Sequence, residues 1–219
     1  MKNSNRLLLL AMAIFSLFSC SKEDGPDPME NKSVTTESDL ASMITGEIVG
    51  TSKLDRTESL IQMTVVANNL IPGHIYNLTC SVYNKPENCD GPCDTKDFSG
   101  KNKLVEGVAF LVTGKEASSS TETFTATLRE RDVTSYEMAV YATINGDYGG
   151  LQDAQNAAID LHIMSKGPAQ SGTIRQQQLT NFAGGCSLEL HEIGAPSARI
   201  PEEIGECAWI YEAKHVAGN

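Results

Sequence analysis

Apolar and polar side chains alternate residue by residue along much of this chain, which predicts β-strands. The clearest run covers residues 75–83, where tyrosine, leucine, cysteine and valine share one face and asparagine, threonine and serine share the other. Residues 123–129 alternate in the same way. A period of two is typical of strands that bury one face.

Shorter alternating or apolar runs predict further strands, with turn-forming residues between them. They cover residues 43–49, 60–67, 105–112, 136–144, 158–164, 173–180, 188–193 and 208–214. No window of a dozen residues carries a helical stripe, and residues 152–158 predict one helical turn. About ten short strands predict an all-β fold, an antiparallel β-sandwich or a barrel-like sandwich.

The N-terminus has the layout of a secretory signal peptide over residues 1–19. Lys2 and Arg6 precede an uncharged run that ends at Phe18, and a small residue then stands before Cys20. The run is about a dozen residues long, whereas a membrane-spanning helix needs about 20. We therefore expect no permanent transmembrane anchor.

Leu17-Phe18-Ser19-Cys20 resembles the lipobox of bacterial lipoproteins, in which the cysteine is lipidated and begins the mature chain. The resemblance implies acyl chains on Cys20, palmitate among them, and several such chains attach a protein stably to a membrane. The alternative is an ordinary signal peptide that contains a cysteine.

The segment after the lipobox predicts a tether over residues 20–39. It carries many charges, two prolines and few apolar side chains, a composition typical of disorder. Its first residues, Ser21-Lys22-Glu23-Asp24, resemble an export signal that sends lipoproteins of one group of Gram-negative bacteria to the outer face of the outer membrane. A solvated start to a linker explains them equally well. Residues 40–219 are left for a single β-domain.

The charge balance excludes nucleic-acid binding as the expected function. Removing residues 1–19 leaves 15 basic and 28 acidic residues. So acidic a surface repels nucleic acid and anionic lipid. The sequence also lacks a glycine-rich phosphate loop and a Gly-Xaa-Ser-Xaa-Gly nucleophile elbow.

Five cysteines follow Cys20, and export makes disulfides their expected state. Asp90-Gly91-Pro92 is a short turn-forming spacer between two of them. We predict two bridges and one buried free thiol: Cys89–Cys93, Cys186–Cys207 and Cys80. The alternative for Cys89 and Cys93 is a zinc site, although no histidine lies within ten residues of that pair.

Several phrases resemble an uncharacterised family of extracellular bacterial β-domains, over roughly residues 60 to 215. The matching phrases are Tyr83-Asn84-Lys85-Pro86-Glu87-Asn88-Cys89 with Cys93 and Asp97, Ala158-Ile159-Asp160-Leu161-His162-Ile163, Lys166-Gly167-Pro168-Ala169, Gln178-Leu179-Thr180 leading to Gly184-Gly185-Cys186, and Cys207. The resemblance implies a secreted β-rich domain and no known activity.

Two positions depart from the family pattern. The family usually has a tryptophan pair where this chain has Thr79 and Cys80, and a histidine where it has Lys166. Any role of that histidine in relatives is therefore lost here.

Asp160 and His162 are the leading candidates for chemistry. They share one face of the strand at 158–164, so the carboxylate could orient the imidazole for acid–base work or metal binding. His191 has a similar outward pattern, and histidines on separate strands can hold copper or zinc. The simpler interpretation of His162 is a histidine that hydrogen-bonds across the sheet.

These observations predict a lipid-anchored bacterial outer-membrane protein, on either the cell-surface or the periplasmic side, with a non-catalytic domain that binds an unknown protein or glycan. No cofactor is expected. The alternative is a metal-dependent enzyme or metal-binding protein that uses Asp160, His162 and His191.

Overall fold

The computed structural model describes residues 33–94, 97, 103–130, 150–181, 185 and 208–216. Helix α1 covers Gly172–Thr180, and Pro86–Asn88 and Lys103–Val105 form short 3-10 turns. The strands are β1 (Val34–Ser42), β2 (Ile48–Arg56), β3 (Leu60–Ala67), β4 (His74–Tyr83), β5 (Gly107–Glu116), β6 (Glu122–Arg129), β7 (Ala158–Pro168) and β8 (Ala208–His215).

All eight strands form one antiparallel sheet, in the order β5-β4-β7-β8-β1-β2-β3-β6. Its two edge strands, β5 and β6, are consecutive in the chain and lie against each other, so the sheet is nearly closed. Lys115 on β5 strengthens this closure, because its ammonium pairs with Glu122 and donates to the Thr123 carbonyl of β6. The all-β, barrel-like prediction is confirmed.

The inner face of the sheet holds the hydrophobic core. Leu78, Cys80 and Val82 of β4 point inward with Ile159, Leu161 and Ile163 of β7, and all six are fully buried. Alternation places the polar residues of the same strands on the outer face.

The outer face differs between the two halves of the sheet. On β1, β2, β3 and β6 it is open to solvent and carries threonines and charged residues, such as Glu37, Thr51, Lys53 and Thr125. On β4 and β7 it is buried. The candidate site lies on this covered half.

The tether predicted for residues 20–39 is wrong in its last third, because β1 begins at Val34. Thr35, Glu37 and Asp39 face outward, while the backbone of β1 pairs with β2 along most of its length and Leu40 enters the core. Backbone hydrogen bonds to the neighbouring strand stabilise β1, although β1 buries little apolar surface. The β-domain therefore begins before residue 40, and residues 20–32 lie outside the described part of the chain.

Two predicted strands are wrong. Residues 43–49 form mainly the turn before β2, and residues 173–180 belong to α1. Gln178 explains the helix: its amide donates to the carbonyls of Lys166 and Pro168, so it ties α1 to the end of β7. That contact outweighs the strand preference of Thr173 and Ile174.

The remaining strand predictions agree with the sheet to within a few residues, and the run at 60–67 coincides with β3. The helical turn at 152–158 is confirmed by the bond from the Ala157 amide to the Asp153 carbonyl. The predicted strands at 136–144 and 188–193 lie outside the described residues. Within the described residues, no helix is long and apolar enough to cross a membrane.

Candidate functional site

Five polar side chains line the covered outer face of β4 and β7, and we call them the polar row. They are Asn77, Thr79 and Ser81 of β4 with Asp160 and His162 of β7, each at most 3 % exposed. The register places Thr79 opposite His162 and Ser81 opposite Asp160. Directly paired residues of antiparallel strands have neighbouring side chains on one face, so the row is one contiguous polar surface.

Strand β8 borders the row on the other side of β7. Glu212 pairs with His162, and Lys214 pairs with Asp160. A register shift between Ile163 and Met164 then brings Trp209 opposite Met164. The shift places the indole on the outer face, where it stacks on the His162 imidazole.

Asp160 is a buried carboxyl group with two polar contacts. The Tyr83 hydroxyl donates to its Oδ2 at 3.2 Å, and the Lys214 ammonium lies 4.0 Å from the same oxygen. Burial raises the pKa of Asp160 to about 6, against the opposing influence of His162 and Lys214. The group can therefore gain or lose a proton close to neutral pH.

Glu212 lies between two cationic or potentially cationic side chains. Its Oε1 is 3.3 Å from His162 Nε2 and 3.3 Å from the Lys214 ammonium. Burial raises the pKa of Glu212, but His162 and Lys214 more than offset this, so the pKa lies below its ordinary value. Lys214 thus bridges the carboxylates of Glu212 and Asp160.

Within the described residues, four buried polar atoms of the row have no hydrogen-bond partner. They are the two ring nitrogens of His162 and the amide oxygen and nitrogen of Asn77. The approach of Glu212 to His162 has the distance of an ion pair without the alignment of a hydrogen bond. Buried polar groups are almost always hydrogen-bonded in proteins, so these atoms are an unusual feature of the described part of the fold.

Gly114 of β5 makes room for the Asn77 side chain. A Cβ atom at this position would lie 2.6 Å from Asn77 Oδ1 and 2.2 Å from the Leu179 carbonyl oxygen of α1. Any larger residue would push the amide or the helix away. The amide is thus accommodated in the packing without being hydrogen-bonded by it.

A cleft of about 430 Å³ lies between the loop after β4 and the start of β7. Pro86 and Cys93 line one part of it, and Ala158 and Val216 line another. Asp160 itself is not among the residues that line this cleft.

The predicted disulfide Cys89–Cys93 is confirmed, with an S–S distance of 2.05 Å. The bridge removes both thiols as zinc ligands. Cys80 is a free, buried thiol as predicted, and burial raises its pKa, which keeps it protonated. Cys20, Cys186 and Cys207 lie outside the described residues.

Asp160 and His162 do lie together on one face, as the sequence predicts, but that face is buried. His191 lies outside the described residues. Among the residues that the structure describes, no three histidine, cysteine, aspartate or glutamate side chains are placed to hold a metal ion.

Sequence reasoning missed Asn77, Tyr83, Glu212 and Lys214 as parts of the site. One signal was present: the polar face of the run at 75–83 contains only uncharged residues. Solvated strand faces usually carry charges, so an uncharged polar face favours a covered one.

No protein-family model, curated protein or solved structure matches this chain.

Proposed function

We propose that this protein is an outer-membrane lipoprotein, anchored through Cys20, whose β-domain binds a small polar group of a glycan or protein. The proposed location follows from the resemblance of Leu17-Phe18-Ser19-Cys20 to a lipobox and from the charged segment Ser21-Lys22-Glu23-Asp24 that follows it. Because β1 begins at Val34, a tether of some thirteen residues separates Cys20 from the folded domain. A coil of that length spans about 20 Å on average.

The open hydrogen-bonding capacity of Asn77 and His162 is the observation that carries the binding proposal. Leaving a buried polar atom without a partner costs about 1–3 kcal/mol, and four such atoms lie on one face of two paired strands. A bound group that supplies the missing hydrogen bonds recovers this free energy. Binding then requires no further desolvation of these buried atoms, which lowers its cost.

The hydrogen-bonding pattern of the Asn77 amide indicates which chemical group of a ligand the site would bind. Its amide can donate and accept at adjacent atoms, a pattern that matches two neighbouring hydroxyls of a sugar or the carboxamide of a peptide. The carboxyl group of Asp160 and the hydroxyls of Thr79 and Ser81 extend the same surface. Thr79 already donates to the His162 carbonyl, at 3.4 Å.

A thermal-unfolding screen tests the binding proposal. Monosaccharides, oligosaccharides and carboxamide-containing peptides are added to the wild type and to the Asn77→Leu variant. We expect one ligand class to raise the unfolding temperature of the wild type and to leave the variant unchanged. Equal shifts in both proteins, or no shift with any compound, would contradict a binding role for the row.

Membrane fractionation of a Cys20→Ala variant tests the proposed lipid anchor separately from ligand binding. We expect the variant to leave the membrane fraction, while the wild type stays bound and is cleaved by protease added to intact cells. A variant that remains in the membrane fraction would contradict the lipid anchor. Cys80→Ala is the matched control, because it removes a buried thiol and should not change fractionation.

A metal-dependent site is the second candidate, favoured by the protonatable carboxyl group of Asp160 beside His162 and Glu212. In this proposal His162 and Asp160 are ligands, and His191 supplies a third. Isothermal titration with zinc tests it: saturable binding that is lost in both His162→Gln and His191→Gln would favour a metal site. Binding that survives either substitution would count against it.

A further inference from the structure

Arg56, at the end of β2, carries a positive charge into the interior of the sheet. Its side chain is fully buried. Nη1 donates to the carbonyl oxygens of Ala154 at 3.1 Å and Ala157 at 2.7 Å. The guanidinium therefore fixes the turn before β7 against the sheet with one of its three nitrogens.

The other two nitrogens of Arg56, Nε and Nη2, are buried. None of the residues in the described ranges accepts a hydrogen bond from them. In the part of the chain that the structure describes, no carboxylate forms an ion pair with this guanidinium. Asp153 acts on Arg56 only at longer range, and its oxygens already accept from the amides of Gln155 and Asn156.

Two titratable neighbours of this charge within the core, His215 and Cys80, are neutral at pH 7. His215 contacts two hydroxyls, with Nε2 2.8 Å from Ser52 Oγ and Nδ1 3.0 Å from Thr36 Oγ1. Burial, and then the nearby Arg56, lower the pKa of His215 to about 4, so the imidazole is neutral at pH 7. Burial also raises the pKa of Cys80, so this neighbour of Arg56 stays a thiol.

A buried, unpaired charge is among the most unfavourable features a fold can have. Neither His215 nor Cys80 supplies a negative charge at pH 7, and a guanidinium does not lose its proton in proteins. We infer that Arg56 holds a small monovalent anion, such as chloride, between its Nε and Nη2 groups in the interior of the sheet.

The donor arrangement favours an anion over a water molecule. Nε and Nη2 both offer hydrogens, and the Cys80 thiol is a weak donor. A buried water typically makes about three hydrogen bonds, as donor and as acceptor, whereas the carbonyls of Ala154 and Ala157 already accept from Nη1. A halide ion only accepts hydrogen bonds, and its negative charge compensates the positive charge of the guanidinium.

Anion-dependent stability of the full-length protein tests this inference. Unfolding is followed at pH 7 in sodium chloride, sodium bromide and sodium gluconate at matched ionic strength, gluconate being too large for an enclosed site. Above the dissociation constant, each tenfold rise in chloride or bromide should raise the ratio of folded to unfolded protein about tenfold. Gluconate should produce no such rise.

Two variants separate the site from general salt effects. Arg56→Met should make stability independent of which anion is present. Arg129→Met removes a positive charge from the exposed face of β6 and should keep the wild-type dependence. If both variants respond to chloride as the wild type does, the inference is wrong.

Crystals of the wild type grown in bromide give a test that needs no variant. We expect an anomalous scattering peak within hydrogen-bond distance of Arg56 Nε and Nη2. A water molecule without anomalous signal at that position, together with equal stability in the three salts, would overturn the proposed anion site.

Discussion

The imidazole of His162 stacks on the indole of Trp209, with ring centroids 4.2 Å apart and planes inclined by 13°. The pair exists because the register shift in β8 moves Trp209 to the outer face. Without this shift, Trp209 would share the face of Tyr211, which lies opposite Ile163 on the core side of the sheet. The stack fixes the orientation of the imidazole whose nitrogens make no hydrogen bond within the described residues.

Trp209 is the only tryptophan of the chain, so its fluorescence reports on the polar row. An imidazole in contact with an indole quenches indole emission. We therefore expect the His162→Leu variant to fluoresce more strongly than the wild type in the folded state and equally in urea. His74→Leu, which alters a histidine stacked on Tyr76 instead, should leave the emission unchanged.

Asp160 should make the protein less stable as the pH rises. The pKa of its carboxyl group is about 6 in the folded state and 3.8 in the unfolded chain, so between these values the folded state binds more protons. Stability is then lost as the pH rises from about 4 to about 6, by roughly 3 kcal/mol at most.

Urea unfolding of Asp160→Asn at several pH values tests this expectation. The variant should be more stable than the wild type above pH 6, and the difference should shrink toward pH 4. A variant that is less stable than the wild type at pH 7 would show that the charged carboxylate is stabilising, in spite of its burial.

Glu122 should have the opposite pH dependence. Lys115 and Ser118 hydrogen-bond its carboxylate, and these contacts lower its pKa to about 2. A depressed pKa gives stability that is present above pH 4.5 and is lost as the pH falls toward 2. Glu122→Gln should destabilise the closure between β5 and β6 by about 1–2 kcal/mol at pH 7, and acid should remove the difference.

The states of the six cysteines predict how many free thiols the mature protein contains. Cys89 is bonded to Cys93. If Cys20 is lipidated and Cys186 is bonded to Cys207, as the sequence predicts, only Cys80 should react with a thiol reagent. Alkylation of the mature protein should therefore label one cysteine, and only after denaturation, because Cys80 is fully buried. Labelling of Cys186 or Cys207 would contradict the second bridge.

Much of the sheet follows from alternation, because β3 and β6 bury about every second residue and β4 and β7 alternate apolar and polar side chains although both of their faces are buried. The strand β1 does not follow from it, since its outward residues are polar and Leu40 is its only fully buried side chain. Long-range pairing with β2 decides its structure. Helix α1 likewise depends on the distant carbonyls that Gln178 reaches.

Only part of the candidate site can be predicted from the sequence. Asp160 and His162 stand two residues apart, so the sequence places them on one face. It does not say that the face is covered, or that Tyr83 and Lys214 approach Asp160 from neighbouring strands. Those contacts depend on strand order, which no local pattern specifies.

The central claim is that the polar row serves a ligand rather than the stability of the fold. Asn77 and Asn84 offer a matched comparison, since both are buried amides. Asn84 donates to the carbonyls of Glu106 and Gly150 and accepts from the Gln152 amide. Asn77 makes no such bond in the described part of the chain.

The free energy of unfolding of Asn77→Leu and Asn84→Leu, measured by urea denaturation of the ligand-free protein, tests this claim most directly. Asn84→Leu should lose about 3 kcal/mol or more, because three partners lose their bonds. Asn77→Leu should be as stable as the wild type or more stable by about 1 kcal/mol, since an apolar side chain replaces an unpaired amide. A loss for Asn77→Leu as large as that for Asn84→Leu would contradict the account.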